Sequence, residues 1–174
     1  MRHSDFIVRN ALPEEFADIG QLMVGVYSGL EGFPSPDEQP AYYDMLSSIG
    51  SWTDKPDTEL LIAVSADGKL GGAIVYFSDM SQYGSGGSAT MEKNASGFRL
   101  LAVDPALRRR GIGRLLSQAC IEKARALNQA NVVIHTTKAM QPAWRMYESL
   151  GFERATDLDF MQQDLLVFGF RLAL

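Results

Sequence analysis

Cysteine is almost missing from these 174 residues. Cys120 stands alone, so neither a disulfide framework nor a cysteine zinc site can form within one chain. A basic excess is missing too: the formal net charge is −5, whereas a general nucleic-acid binder neutralises phosphates with surplus lysine and arginine. No nucleic-acid partner is expected, although a small basic pocket fits within an acidic protein. No stretch reaches the roughly 18 consecutive apolar residues of a membrane span. Met1–Asp5 leads into no apolar signal region, so no membrane partner and a cytoplasmic location are expected. What remains is an ordinary folded composition, 46% hydrophobic and 21% charged, read as one domain over residues 1–174.

Along the chain, Phe6–Arg9 reads as a strand. Pro13, Glu14 and Glu15 read as the first turn of a helix, because proline lacks the unneeded N–H and acids favour the positive helix end. Phe16, Ile19, Leu22, Met23, Val26 and Tyr27 then recur at helical spacing. A polar, proline-rich stretch leads to a short helix over Ala41–Ile49. Leu60–Val64 and Leu70–Phe77 are apolar runs around Ala66-Asp67-Gly68-Lys69, a hairpin signal. Asp79–Ser96 is small and polar, with Gly84-Ser85-Gly86-Gly87 at its centre, and reads as an insertion within the one domain. A strand over Phe98–Val103, a helix over Ile112–Leu127 and a strand over Val132–Thr136 follow. The helix's apolar face is Ile112, Leu115, Leu116, Ala119, Ala124 and Leu127. Pro142–Leu150 reads as a helix stopped by Gly151, and Phe152–Arg154 and Leu165–Leu172 as final strands. The order β-α-α-β-β-β-α-β-α-β-β predicts a mixed α/β fold with one parallel pair beside antiparallel hairpins.

The chemistry concentrates between Val103 and Leu116. There a strand runs into Asp104-Pro105-Ala106-Leu107, then Arg108, Arg109 and Arg110, then Gly111-Ile112-Gly113-Arg114 at a helix start. Unpaired N–H groups and the dipole make such a start attractive to phosphate, and glycine lets the ligand approach the backbone. The arginines add charge and forked donors around the same point. A dinucleotide fingerprint would need glycine at Leu116, and a P-loop would need Gly-Lys-Ser/Thr where Gly113-Arg114-Leu115 stands. The turn therefore predicts a pyrophosphate site of another kind.

Val103-x-Pro105-x-x-Arg108-x-x-Gly111-Ile112-Gly113 resembles the acyl-CoA signature of the GNAT superfamily of N-acetyltransferases. Ala143-x-x-Met146-Tyr147-x-x-Leu150-Gly151-Phe152 resembles that family's second motif at the normal separation, and the element order is similar over nearly the whole chain. The resemblance implies an α/β GNAT fold: a mixed, mostly antiparallel sheet with a splayed parallel pair, flanked by helices. It implies acetyl-CoA as co-substrate and, as acceptor, a primary amine of a small molecule or of a protein or peptide, with no metal. Arg108 through Arg114, that is Arg108, Arg109, Arg110, Gly111, Ile112, Gly113 and Arg114, would hold the pyrophosphate. Leu101, Ala102 and Val103 would line the pantetheine arm, Leu101 and Val103 through their backbone, with the Val103 N–H near the thioester carbonyl. Tyr147 would be the catalytic residue, returning a proton to the leaving thiolate.

The chain departs from the family pattern in two places. Many relatives carry a glutamate on the strand entering the first motif, where this sequence reads Ala95-Ser96-Gly97-Phe98-Arg99, and asparagine where it has Met140. Glu92, Asp79 and His135 are the candidate bases, and His135 reads better as a sheet histidine with its hydrogen bonds satisfied, so none is assigned. Trp144 and Phe168-Gly169-Phe170 read as core or dimer surface, and Cys120 as a small buried hydrophobe. The segments Ser28–Thr53, Asp79–Lys93 and Asp157–Gln163 would recognise the acceptor, and their acidic residues would suit a cationic amine. The alternatives are a non-catalytic acyl-CoA sensor and an acyltransferase using another acyl group. A strand-edge homodimer is compatible with such a sheet.

Overall fold

Two apolar runs separated by a turn at Gly68 form the centre of the sheet. In the computed structural model, which describes residues 5–174, β2 (Thr58–Ser65) and β3 (Leu70–Phe77) pair antiparallel around it. Gly68 has φ +85°, which glycine takes without steric cost. Met1–Ser4, part of the start read above, lie outside the described residues. β1 (Phe6–Asn10) adds to β2, and β4 (Ala95–Val103) to β3, both antiparallel. β5 (Asn131–Thr136) joins β4 in parallel. β8 (Leu165–Ala173) follows antiparallel, carrying β6 (Glu153–Arg154) and β7 (Phe160–Gln162) on it. The strand path is β1-β2-β3-β4-β5-β8-β6.

Helices cover both faces because β2 and β3 are apolar on both. Leu60, Ile62, Val64, Ala73, Val75 and Phe77 face α1 (Phe16–Ser28) and α2 (Pro40–Ser47). Leu61, Ala63, Ile74 and Tyr76 face α3 (Ile112–Ala126), whose buried stripe is Ile112, Leu116, Cys120, Ile121 and Ala124. α4 (Gln141–Ser149) closes this second side with Tyr147, and Trp144 packs on Phe168 and Phe170 at 5.1 and 5.0 Å. Gly72 permits the close contact of β3 with α3, since a Cβ there would meet the Ala102 carbonyl at 2.8 Å and Leu116 at 3.1 Å.

Four expectations change. Leu127 does not belong to the buried face of α3; it follows the helix end and is 54% exposed. The insertion ends earlier, because β4 starts at Ala95. It is also anchored in the core by Met80, Tyr83 and Ala89. Tyr83 fits because Gly97 has no side chain: a Cβ there would lie 2.7 Å from the ring. Asp157–Gln163, read as an acceptor-recognising segment with no strand in it, contains β7, which forms a hairpin with β8 turned by Gln163 at φ +53° and Asp164. It carries no Asn-Gly or Asp-Gly signal.

Candidate active site

β4 and β5 are hydrogen-bonded only through Ala95, Ser96 and Gly97 opposite Asn131, Val132 and Val133. Beyond that they part, and the gap opens onto the start of α3. Its cause lies within β4. Between Ala73↔Ala102 and Val75↔Arg99 the register gains one residue, and Leu100 sits at φ +62°. This bulge adds twist and reverses the strand's facing. Phe98 faces α3 and α4, Arg99 and Leu100 both face α1, and Leu101 and Val103 return to the α3 side.

The bulge also aims the backbone. Asp104 N–H donates to the Gly71 carbonyl at 2.9 Å, so by antiparallel alternation the Val103 N–H turns away from β3 toward the gap. The Leu101 carbonyl, pointing the same way, accepts from the Tyr27 hydroxyl at 3.1 Å.

At the mouth, Asp104 caps a turn at Pro105–Leu107 by accepting from Ala106 N–H. Arg109 at φ +64° and Gly111 at φ +78° then alternate with ordinary backbone into α3, turning successive N–H groups to one side in an anion-binding arrangement. Gly113 is helical, and a Cβ there would meet Leu101, Val103 and Met146 at an ordinary 3.5–3.7 Å. Nothing among the described residues requires glycine there, and the missing side chain leaves this first turn of the helix open to the space beside it. Arg114 is held to α4 by donating to Ser149 Oγ at 2.8 Å.

One cavity of about 650 Å³ joins these parts. Leu101, Val103, Arg108, Arg109, Gly111, Ile112, Gly113, Arg114 and Tyr147 all line it. Ala102 and Arg110 do not: Ala102 is buried on the opposite face of β4, and Arg110 engages another group. Sequence reasoning missed Tyr27, Tyr42, Arg99, Thr136, Thr137 and Phe160 as lining residues. Thr136 and Thr137, at the end of β5, keep buried hydroxyls without a partner among the described residues, at a cost of about 1–3 kcal/mol each that a polar ligand would relieve.

Tyr147 is 5% exposed, its ring set against Phe98 at 5.8 Å and Phe152 at 5.9 Å. Burial pushes its phenol well above the ordinary range, so it stays protonated through neutral pH. Gly151, at φ +101°, ends α4 as expected, its N–H bonding the Glu148 carbonyl. His135 is spoken for: Nε2 lies 2.8 Å from the Leu158 carbonyl and Nδ1 3.0 Å from the Tyr83 hydroxyl. A carbonyl only accepts, so Nε2 carries the hydrogen and Nδ1 accepts from Tyr83. Burial lowers the pKa of His135, which keeps this neutral form.

The other two candidate bases are also engaged. Glu92 accepts from Arg171 Nε at 2.7 Å, and Asp79 caps Ser81 N–H at 2.9 Å. Asp157 pairs with Arg171 and Asp159 with Arg154, so these acids neutralise arginines of the strand edge. Among the described residues no carboxylate lines the cavity.

The model of the acetyltransferase (GNAT) family matches residues 23–152. The chain belongs to the acetyltransferase (GNAT) family. A GNAT-family acetyltransferase from Staphylococcus aureus Mu50 superimposes with a TM-score of 0.73 at 16% identity, covering 97% of this chain and 99% of that one. The PaiA N-acetyltransferase of Thermoplasma acidophilum, solved with coenzyme A, gives 0.73 at 13% identity over 97% and 99%. A curated relative, N-acetylaspartate synthetase of Danio rerio, is 35% identical over 68 residues, 39% of this chain and 24% of that protein. The chain thus spans about a quarter of that relative's length. Among the described residues no helix is long and apolar enough to cross a membrane.

Proposed function

We propose that this protein transfers an acetyl group from acetyl-CoA directly to an amine. The carrying observation is the parting of β4 and β5 beyond Gly97, which leaves Leu101 and Val103 without a neighbouring strand on that side, beside the N–H cluster of α3. Arg109, Gly111 and Gly113 would hold the pyrophosphate, and Leu101 and Val103 would pair with the pantetheine like an added strand. The Val103 N–H then meets the thioester oxygen as charge develops on it. The amine nitrogen bonds to the carbonyl carbon, the C–S bond breaks, and the sulfur takes a proton from Tyr147. The ammonium proton returns to Tyr147 through water. With no carboxylate of the described residues lining the cavity and both His135 nitrogens engaged, the attacking amine arrives unprotonated or loses its proton to water.

Calorimetric titration with acetyl-CoA, followed by CoA-thiol release against an amine panel, tests this reading. Binding with acceptor-dependent thiol release is expected. Absence of binding refutes it, and binding without release from any amine leaves the acyl-CoA sensor.

A further inference from the structure

We infer that the acceptor is a small amine carrying a carboxylate, which Arg99 holds beside the reacting centre. This rests on the acetyl-transfer reading above and names the substrate class of that site.

Arg99 stands in the part of the cavity away from the α3 turn, walled by Tyr27, Phe33, Tyr42 and Phe160. Its guanidinium lies 5.3 Å from the Trp52 ring centre and 5.6 Å from that of Tyr83, which fixes its plane. It spends a donor on the Tyr83 carbonyl at 2.9 Å. A guanidinium has five N–H donors, and among the described residues Arg99 meets no carboxylate. By contrast Arg9, Arg125, Arg154 and Arg171 each have an acid at 2.7–2.8 Å. A half-buried arginine with spare donors and no carboxylate partner, at the wall of a cavity that no carboxylate of the described residues lines, is a receptor for an anion.

The bulge at Leu100 puts Arg99 there. Arg99 is four residues before Val103, about 13 Å along the strand, and both line the one cavity, so an acceptor bridging from the guanidinium to the thioester carries its amine a few bonds away from its carboxylate. The same cavity repels a polycationic amine, which has no acid to meet. The aromatic walls favour a partly apolar body, so the ligand class is an α-amino acid with an apolar side chain. Tyr42 lines the same cavity, and its hydroxyl is a further possible hydrogen-bond donor.

The test compares matched acceptors. CoA-thiol release is measured with phenylalanine and leucine, their amides, phenethylamine and spermidine. The acids are expected to exceed the amides and phenethylamine by about 10- to 100-fold in kcat/KM, the worth of a charge-assisted hydrogen bond. Arg99→Met, which keeps the stem and its packing, should erase this ratio without changing acetyl-CoA affinity; a purely structural Arg99 would change the melting temperature and leave the ratio. Amides, phenethylamine or spermidine matching the acids would overturn the inference, as would a ratio that survives in R99M.

Binding of N-acetylphenylalanine and its amide to the CoA-loaded protein gives a readout independent of turnover. Arg99-dependent preference for the acid, with no thiol release from any amine, would uphold the carboxylate site and overturn the transferase reading. Equal binding of acid and amide, or binding of neither, would overturn the carboxylate site.

Discussion

Replacing Tyr147 by phenylalanine removes one oxygen and keeps the ring. The ring is wedged between Phe98 and Phe152, and the hydroxyl has no hydrogen-bond partner among the described residues. Its loss therefore orphans no group, and stability should change by less than about 1 kcal/mol. The rate should respond very differently. A positioned general acid is worth about 10²- to 10⁴-fold, or roughly 3–5 kcal/mol of barrier. Burial makes the phenol a weaker acid, but the same cavity also disfavours the thiolate it serves, so the proton transfer is not lost. The assay is steady-state thiol release with the best acceptor, beside acetyl-CoA affinity and melting temperature. The expected result is a kcat at least about a hundredfold lower, with affinity and melting temperature held. The raised phenol pKa adds that no loss of rate near pH 10 should come from Tyr147. A kcat within about threefold of the parent would remove the residue from the chemistry.

Gly113→Ala should leave the fold intact or stabilise it by about 0.5–1 kcal/mol, since the Cβ has ordinary room and alanine favours helix, yet weaken acetyl-CoA at least about tenfold. Unaltered affinity by calorimetry would refute a ligand pressed to that backbone. Gly97→Ala should lower stability by at least about 2 kcal/mol in urea unfolding, because the new Cβ overlaps Tyr83 and the Met80 sulfur. His135 has a lowered folded pKa, so the unfolded chain binds its proton first; its contribution is complete above about pH 6.5 and is lost as pH falls through the folded value. His135→Asn should flatten that acid-side slope in melting temperature. Asp159, lowered chiefly by its hydrogen bond with Arg154, contributes above its unfolded value near pH 4 and loses this as pH falls further. Asp159→Asn should remove that lower-pH component alone.

Much of the fold was legible because its signals are local. Pro142 and Gly151 bracket α4, the Asp67-Gly68 turn fixes the β2–β3 hairpin, and the glycines around Ile112 mark the opening of α3. Each depends on φ preference or helix-end hydrogen bonding within a few residues. The hairpin at Gln163 gave no such signal, because a positive φ on glutamine is imposed by pairing between Phe160–Gln162 and Leu165–Val167. Tyr83 was hidden for a similar reason, since its place depends on Gly97, far along the chain.

The sequence by itself determined the basic glycine turn and its helix, the tyrosine on the following helix, and their separation. Only the tertiary structure decided what surrounds them. A single extra residue at Leu100 turns Arg99 toward the α1 side and Val103 toward the gap, and no pattern in Phe98–Val103 announces it. The protonated nitrogen of His135 was settled by the Leu158 carbonyl and the Tyr83 hydroxyl, groups distant in sequence. Facing and protonation state depend on which distant groups the fold brings within a few ångströms, whereas turns and caps are written in neighbouring residues.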